Sequence, residues 1–115
     1  MKTRNFLFLN HILEACEHIM EFIKDIDFET FNKSRLIQSA VIRELGIIGE
    51  ATKNLTEKIR NKFKNIPWKE IAGMRDKLTH RYFTVDLKEV WNTGKKDIPV
   101  LKKEIQDIIK LENSK

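Results

Sequence analysis

The residues best suited to chemistry lie in one short stretch. Between Gly73 and Phe83 the chain places a guanidinium (Arg75), a carboxylate (Asp76), an imidazole (His80) and its only tyrosine (Tyr82). Arginine and histidine together suit a phosphodiester. An imidazole titrates near neutrality, so it can take a proton from a ribose 2′-hydroxyl or return one to a leaving oxygen. A guanidinium stays cationic and offers a planar fork to the charge that builds on phosphate in the transition state. With the 2′-hydroxyl as nucleophile no metal is needed, and the sequence contains no HExxH, paired-aspartate or Cys/His metal motif. The expectation is chemistry without metal or cofactor.

Helix geometry constrains this set. Arg75 and Tyr82 are seven residues apart and share a face of an unbroken helix, whereas Arg75 and His80, five apart, diverge by roughly 140°. The two meet only if the helix loosens near His80 or if a second copy of the chain supplies its own pair. A purely structural assignment is the alternative. Arg75 would then pair with Glu44 or Glu50, His80 would favour a helix C-terminus, and Tyr82 would be a packing residue.

The elements that must position these groups read as helical. Leu9, Ile12, Leu13, Cys16, Ile19, Met20 and Ile23 repeat at helical spacing between about Asn5 and Lys24. A loop is expected over Asp25–Asn32. A second, long helix starts near Phe31 to Ser34, with Asn32 or Ser34 as cap, and runs to about Phe63. Its first half is apolar almost all round, which suggests cover from a partner chain. Gly46 and Gly49 inside it imply close approach of another helix. A third helix opens at Asn65-Ile66-Pro67-Trp68. Asp86-Leu87-Lys88-Glu89 is a capping box for a fourth, which Pro99 breaks or kinks near Lys96–Ile98. The expected fold is an all-α antiparallel bundle of four helices, or five if Pro99 divides the last, forming one domain over residues 1–115.

Composition agrees. Of 115 residues, 41% are hydrophobic and 34% charged, too apolar for a disordered chain and too charged for a membrane protein. Four glycines and two prolines are too few for the turns of a β-sandwich. The single cysteine excludes an internal disulfide framework, and no apolar run reaches the roughly 18 residues that span a bilayer. These features suit a reduced, cytoplasmic protein with no membrane partner.

The net charge of +5 is unevenly spread: residues 1–32 carry 3 basic and 6 acidic side chains, and residues 33–115 carry 19 and 11. The excess admits a polyanionic partner, although a solvated lysine-rich surface explains it equally well. Lys53, Lys58, Arg60 and Lys62, with Lys64, are the candidate cations for RNA or for an acidic protein surface. His11, Glu14 and His18 form a solvated face rather than a metal site. Trp68 and Trp91 have core spacing, although tryptophan can also stack on bases. Cys16 is expected as an inert buried thiol. Glu50 is expected as a carboxylate buried at the dimer contact or near the Arg75 cleft, as a partner for an arginine rather than a catalytic acid.

The string from Trp68 to Asp86, with Arg75-x4-His80-x-Tyr82 inside it and Val90-Trp91 after it, resembles the HepT-like toxin family of the HEPN superfamily. Similarity extends upstream to Ile37–Ala40, Glu44–Gly46 and Gly49–Ala51, and downstream to Asp97–Leu101, so it covers nearly the whole chain. The resemblance implies an all-α, homodimeric, metal-independent endoribonuclease whose active site forms where two subunits meet. Arg75 and His80 match its catalytic pair. Asp76 matches a polar supporting position where many relatives carry asparagine. Tyr82 matches the tyrosine to which a minimal nucleotidyltransferase, the cognate antitoxin of a type VII toxin–antitoxin system, transfers AMP. Such a group would set bulk and negative phosphate beside Arg75 and exclude RNA. The alternative is a non-catalytic helical dimer that binds RNA or the nucleotidyltransferase as an adaptor.

Overall fold

A computed structural model describes residues 2–74 and 86–114. The described residues are helical, with no strand among them. Three long helices form the frame: α1 (Lys2–Phe22), α3 (Arg35–Lys53) and α7 (Ile98–Asn113). Between them stand the short helices α2 (Phe28–Lys33), α4 (Glu57–Lys62), α5 (Trp68–Ala72) and α6 (Leu87–Asn92).

Cross-contacts give the directions of the long helices. Asn5 meets Thr56 and His18 meets Glu44, so numbers rise along α1 as they fall along α3 and the turn beyond it. Glu17 of α1 likewise lies 3.9 Å from Lys102 of α7, while Ile19 and Ile23 lie against Gly94, ahead of that helix. Both pairs are antiparallel. Their common core includes Leu9, Ile12, Cys16 and Ile19 of α1, Val41, Leu45 and Ile48 of α3, and Ile98, Ile105 and Ile108 of α7. Cys16 is fully buried, and desolvation pushes its thiol up to about 12, so it remains protonated and unreactive.

The caps explain where helices start and stop. Asp25 adopts a left-handed backbone (φ 62°) just past α1, the position glycine usually takes, and an aspartate tolerates it better than most residues do. Asp27 then caps α2 by accepting from Thr30 N at 2.9 Å, so the expected loop over Asp25–Asn32 contains a helix. Ser34 caps α3 by accepting from Ile37 N at 3.2 Å, as one of the two expected caps.

The long second helix does not reach Phe63. It ends at Lys53, and Thr56 caps the separate α4. The reason is tertiary: Asn5 grips Thr56 from α1, donating to its hydroxyl at 3.0 Å and accepting from its backbone N–H at 3.1 Å. Gly46 and Gly49 are buried.

Pro99 acts as expected, but through an unexpected device. Residues Thr93–Asp97 form a π-helical turn in which Ile98 N donates to Thr93 O, and α7 begins with proline in its first turn. The widened turn absorbs the hydrogen bond that proline cannot make. Gly94 lies in this turn, where an added Cβ would stand 3.0 Å from Ile23 Cδ1 and 3.5 Å from Ile19 Cγ2. Gly94→Val is therefore expected to cost about 1–3 kcal/mol through overpacking, measured by urea denaturation.

Candidate functional site

Arg75, Asp76, His80 and Tyr82 lie outside the described residues. Both elements that bracket them are described, and each is anchored by a tryptophan.

On the entry side, Trp68 opens α5 and is buried, its indole Nε1 donating to Phe63 O at 2.9 Å. Ile66 and Ile71 are buried on either side of it. Pro67 stands at the cap of this helix, where its missing N–H costs nothing. Gly73 closes it, its N–H donating to Lys69 O at 3.0 Å. On the exit side, Asp86 accepts from Glu89 N at 3.2 Å, the forward half of the expected capping box. Trp91 of α6 packs against Phe31 and Phe28, with ring centroids 5.3 and 6.1 Å away, and Lys95 lies over its ring. Both tryptophans are core residues, so neither presents a free face to a base.

A cleft of about 380 Å³ borders the entry side. Ile71 and Met74 line it with Ile98 and Leu101 of α7, together with the carboxylates of Glu70, Asp97 and Glu104. Sequence reasoning missed this acidic group because its members are 34 positions apart at the extremes and only packing joins them. Among the described residues no three His, Cys, Asp or Glu side chains are placed to hold a metal ion. Three carboxylates repel phosphate, so this cleft does not favour a nucleic-acid strand.

The carboxylates suggested as structural partners for Arg75 have different surroundings. Glu44 is buried, with His18 Nδ1 3.1 Å from one oxygen and Arg43 Nη1 donating to the other at 3.3 Å. Glu50 is exposed in the single chain, on the side of α3 turned away from its core, and the dimer contact or Arg75 cleft expected to bury it lies outside the described residues. Glu14 and His18 are exposed and His11 is half-buried, in keeping with the solvated face expected of the three. These three line a groove with Arg43, Glu44 and Ile47, and His18 ties α1 to α3 through Glu44.

The candidate cations are divided by the α3–α4 break. Lys53 ends α3, while Lys58, Arg60 and Lys62 lie on α4. Lys62 donates to Glu112 at 2.7 Å, and Arg60 is half-buried with an Nε that finds no acceptor. No described helix is long and apolar enough to cross a membrane.

A family model described as "Ribonuclease HepT-like" matches residues 12–108, a span that takes in both tryptophan anchors and the segment between them. The chain belongs to the HepT-like ribonuclease family. A relative from Caldanaerobacter subterraneus subsp. tengcongensis, named "Putative RNase", is 49% identical over 105 residues, covering 91% of this chain and 94% of that one. A Methanocaldococcus jannaschii protein with the same description is 52% identical over 103 residues, covering 90% and 89%. A "Probable ribonuclease HepT" from Thermococcus cleftensis is 46% identical over 110 residues, covering 96% and 100%. No solved structure matches the chain. Family membership fits the all-helical architecture and the Arg75–His80–Tyr82 string alike.

Burial raises the Glu104 carboxyl above its ordinary range. Its folded pKa then exceeds the unfolded one, so ionisation is disfavoured in the fold and stability is lost as pH rises through the ordinary carboxylate range. Glu104→Gln is expected to raise the melting temperature at pH 7 and to leave it unchanged below about pH 4, read by thermal denaturation across that range.

Proposed function

We propose that the protein is a metal-independent endoribonuclease, the toxin of a type VII toxin–antitoxin pair, and that AMP transfer to Tyr82 by a minimal nucleotidyltransferase silences it. The family match over residues 12–108, with Arg75-x4-His80-x-Tyr82 standing inside it, carries this reading. His80 takes the proton from a ribose 2′-hydroxyl, whose oxygen attacks the adjacent phosphorus. The bond to the 5′-oxygen breaks, and that oxygen receives a proton. The products are a 2′,3′-cyclic phosphate and a 5′-hydroxyl, and neither metal nor water enters the first step. Arg75 stabilises the charge on the phosphoryl oxygens, and Asp76 supports the arginine.

A homodimer completes the site in this reading. Support comes from α3, whose apolar surface exceeds what one chain covers: Val41, Leu45 and Ile48 are buried, but Ile37, Ile42 and Ile47 are half-buried and Leu36 is 81% exposed. In this reading the second copy that covers that surface supplies an Arg75–His80 pair of its own, one of the two ways of meeting the roughly 140° divergence of a single straight helix.

The test is cleavage of RNA by purified protein in EDTA. Arg75→Ala and His80→Ala are each expected to lower the rate by about 10²–10⁴-fold with the dimer intact. Undiminished cleavage in both variants would refute the assignment, and a dimer that binds RNA without cutting it would indicate the adaptor instead. With the nucleotidyltransferase and ATP, intact mass is expected to show AMP adducts that Tyr82→Phe abolishes. Adducts that persist in that variant would place the control point elsewhere.

A further inference from the structure

Four stretches of chain converge at one end of the bundle. Arg4 of α1 donates from Nε to Asn54 O at 3.1 Å, and Asn5 holds Thr56 by two hydrogen bonds. Lys62 of α4 reaches Glu112 at the end of α7. These contacts gather Arg4, Lys58, Arg60, Lys62 and Lys64 at one pole, far denser in cations than the first 32 residues. Residues 53–64 include five basic side chains against the single acid Glu57, and Glu112 is engaged by Lys62. Arg60 adds an independent sign. Its Nε is buried without an acceptor and the residue is half-buried, so a surface anion would meet its charge through the rest of the guanidinium rather than at Nε.

We infer that this pole is an RNA-docking surface, separate from the cutting residues and holding the strand through its phosphates. The inference rests on the ribonuclease reading above. RNA suits the surface better than an acidic protein does, because every exposed residue between positions 53 and 65 is charged or an asparagine. A protein partner generally needs an apolar or aromatic anchor at the centre of its contact, whereas a polyanion needs only cations. The pole is also within reach of the site. From Lys64 to Arg75 the chain spans at most about 30 Å, given the five residues coiled in α5. A strand of about nine stacked nucleotides covers that distance. RNA of that length therefore reaches both, whereas a trinucleotide covers about a third of that greatest span.

The experiment compares Lys58→Gln/Arg60→Gln/Lys64→Gln with the parent protein, both carrying His80→Ala for binding and both with His80 intact for cleavage. Binding of a single-stranded RNA of about 20 nucleotides is followed against KCl concentration. Loss of three phosphate contacts is expected to lower the slope of log K against log salt by about 2 and the affinity at moderate salt by about tenfold. Cleavage of the long RNA is expected to lose kcat/KM through KM, while cleavage of a trinucleotide stays at the parent rate. An unchanged salt slope overturns the proposal. So does unchanged RNA binding together with loss of nucleotidyltransferase capture, which would reassign the pole to an acidic protein. If the parent cuts no RNA but the slope still falls, the docking surface stands and the ribonuclease reading fails. Should the Arg60 substitution unfold the chain, Lys58→Gln/Lys64→Gln is expected to lower the slope by about 1.4.

Discussion

The antiparallel packing of α1 on α3 is the constraint on which the remaining structure depends. Each apolar side chain in that seam contributes about 1.5–3 kcal/mol on leaving water, and Leu9, Ile12, Cys16 and Ile19 meet a core that includes Val41, Leu45 and Ile48. Once the two helices lie together, their ends are set. Asn5 reaches Thr56 and divides what would otherwise be one continuous helix. His18 reaches Glu44 and supplies a partner to a carboxylate that burial would leave exposed to a desolvation cost. The close approach of the π turn to Ile19 and Ile23 depends on α1 holding the same position.

In sequence, the segment proposed for chemistry follows one anchored element of this frame and precedes another. Trp68 holds its entry and Trp91 its exit, and both are buried in the single apolar cluster that includes α1 and α3. Such an arrangement separates two demands. Stability rests on the long helices and their core. The residues proposed for chemistry stand in sequence between the short helices α5 and α6. The cleft lined by Glu70, Asp97 and Glu104 and the lysine- and arginine-rich α4 are of opposite sign, so the charge of the described surface is uneven.

Local signals were legible wherever one element satisfied itself. Ser34, Asp86 and Pro99 each act within a few residues of their own position, and each does so as its type suggests. The Asp27 cap was equally local, but the six-residue helix it opens is too short to show periodicity. The failures share another cause. The end of α3 at Lys53 and the pairing of His18 with Glu44 depend on which helix lies opposite, and residue spacing along one helix does not contain that information.

By itself, then, the sequence determined the helical class, the caps at Ser34 and Asp86, the break at Pro99 and the string Arg75-x4-His80-x-Tyr82, because each is a property of residues near one another in the chain. Only the tertiary structure decided where α3 ends, which carboxylates are buried, and that cations from α1 and α4 share one pole. Those outcomes depend on contacts across some fifty residues, as between Asn5 and Thr56 or Lys62 and Glu112, and such contacts exist only after the apolar faces have chosen their partners.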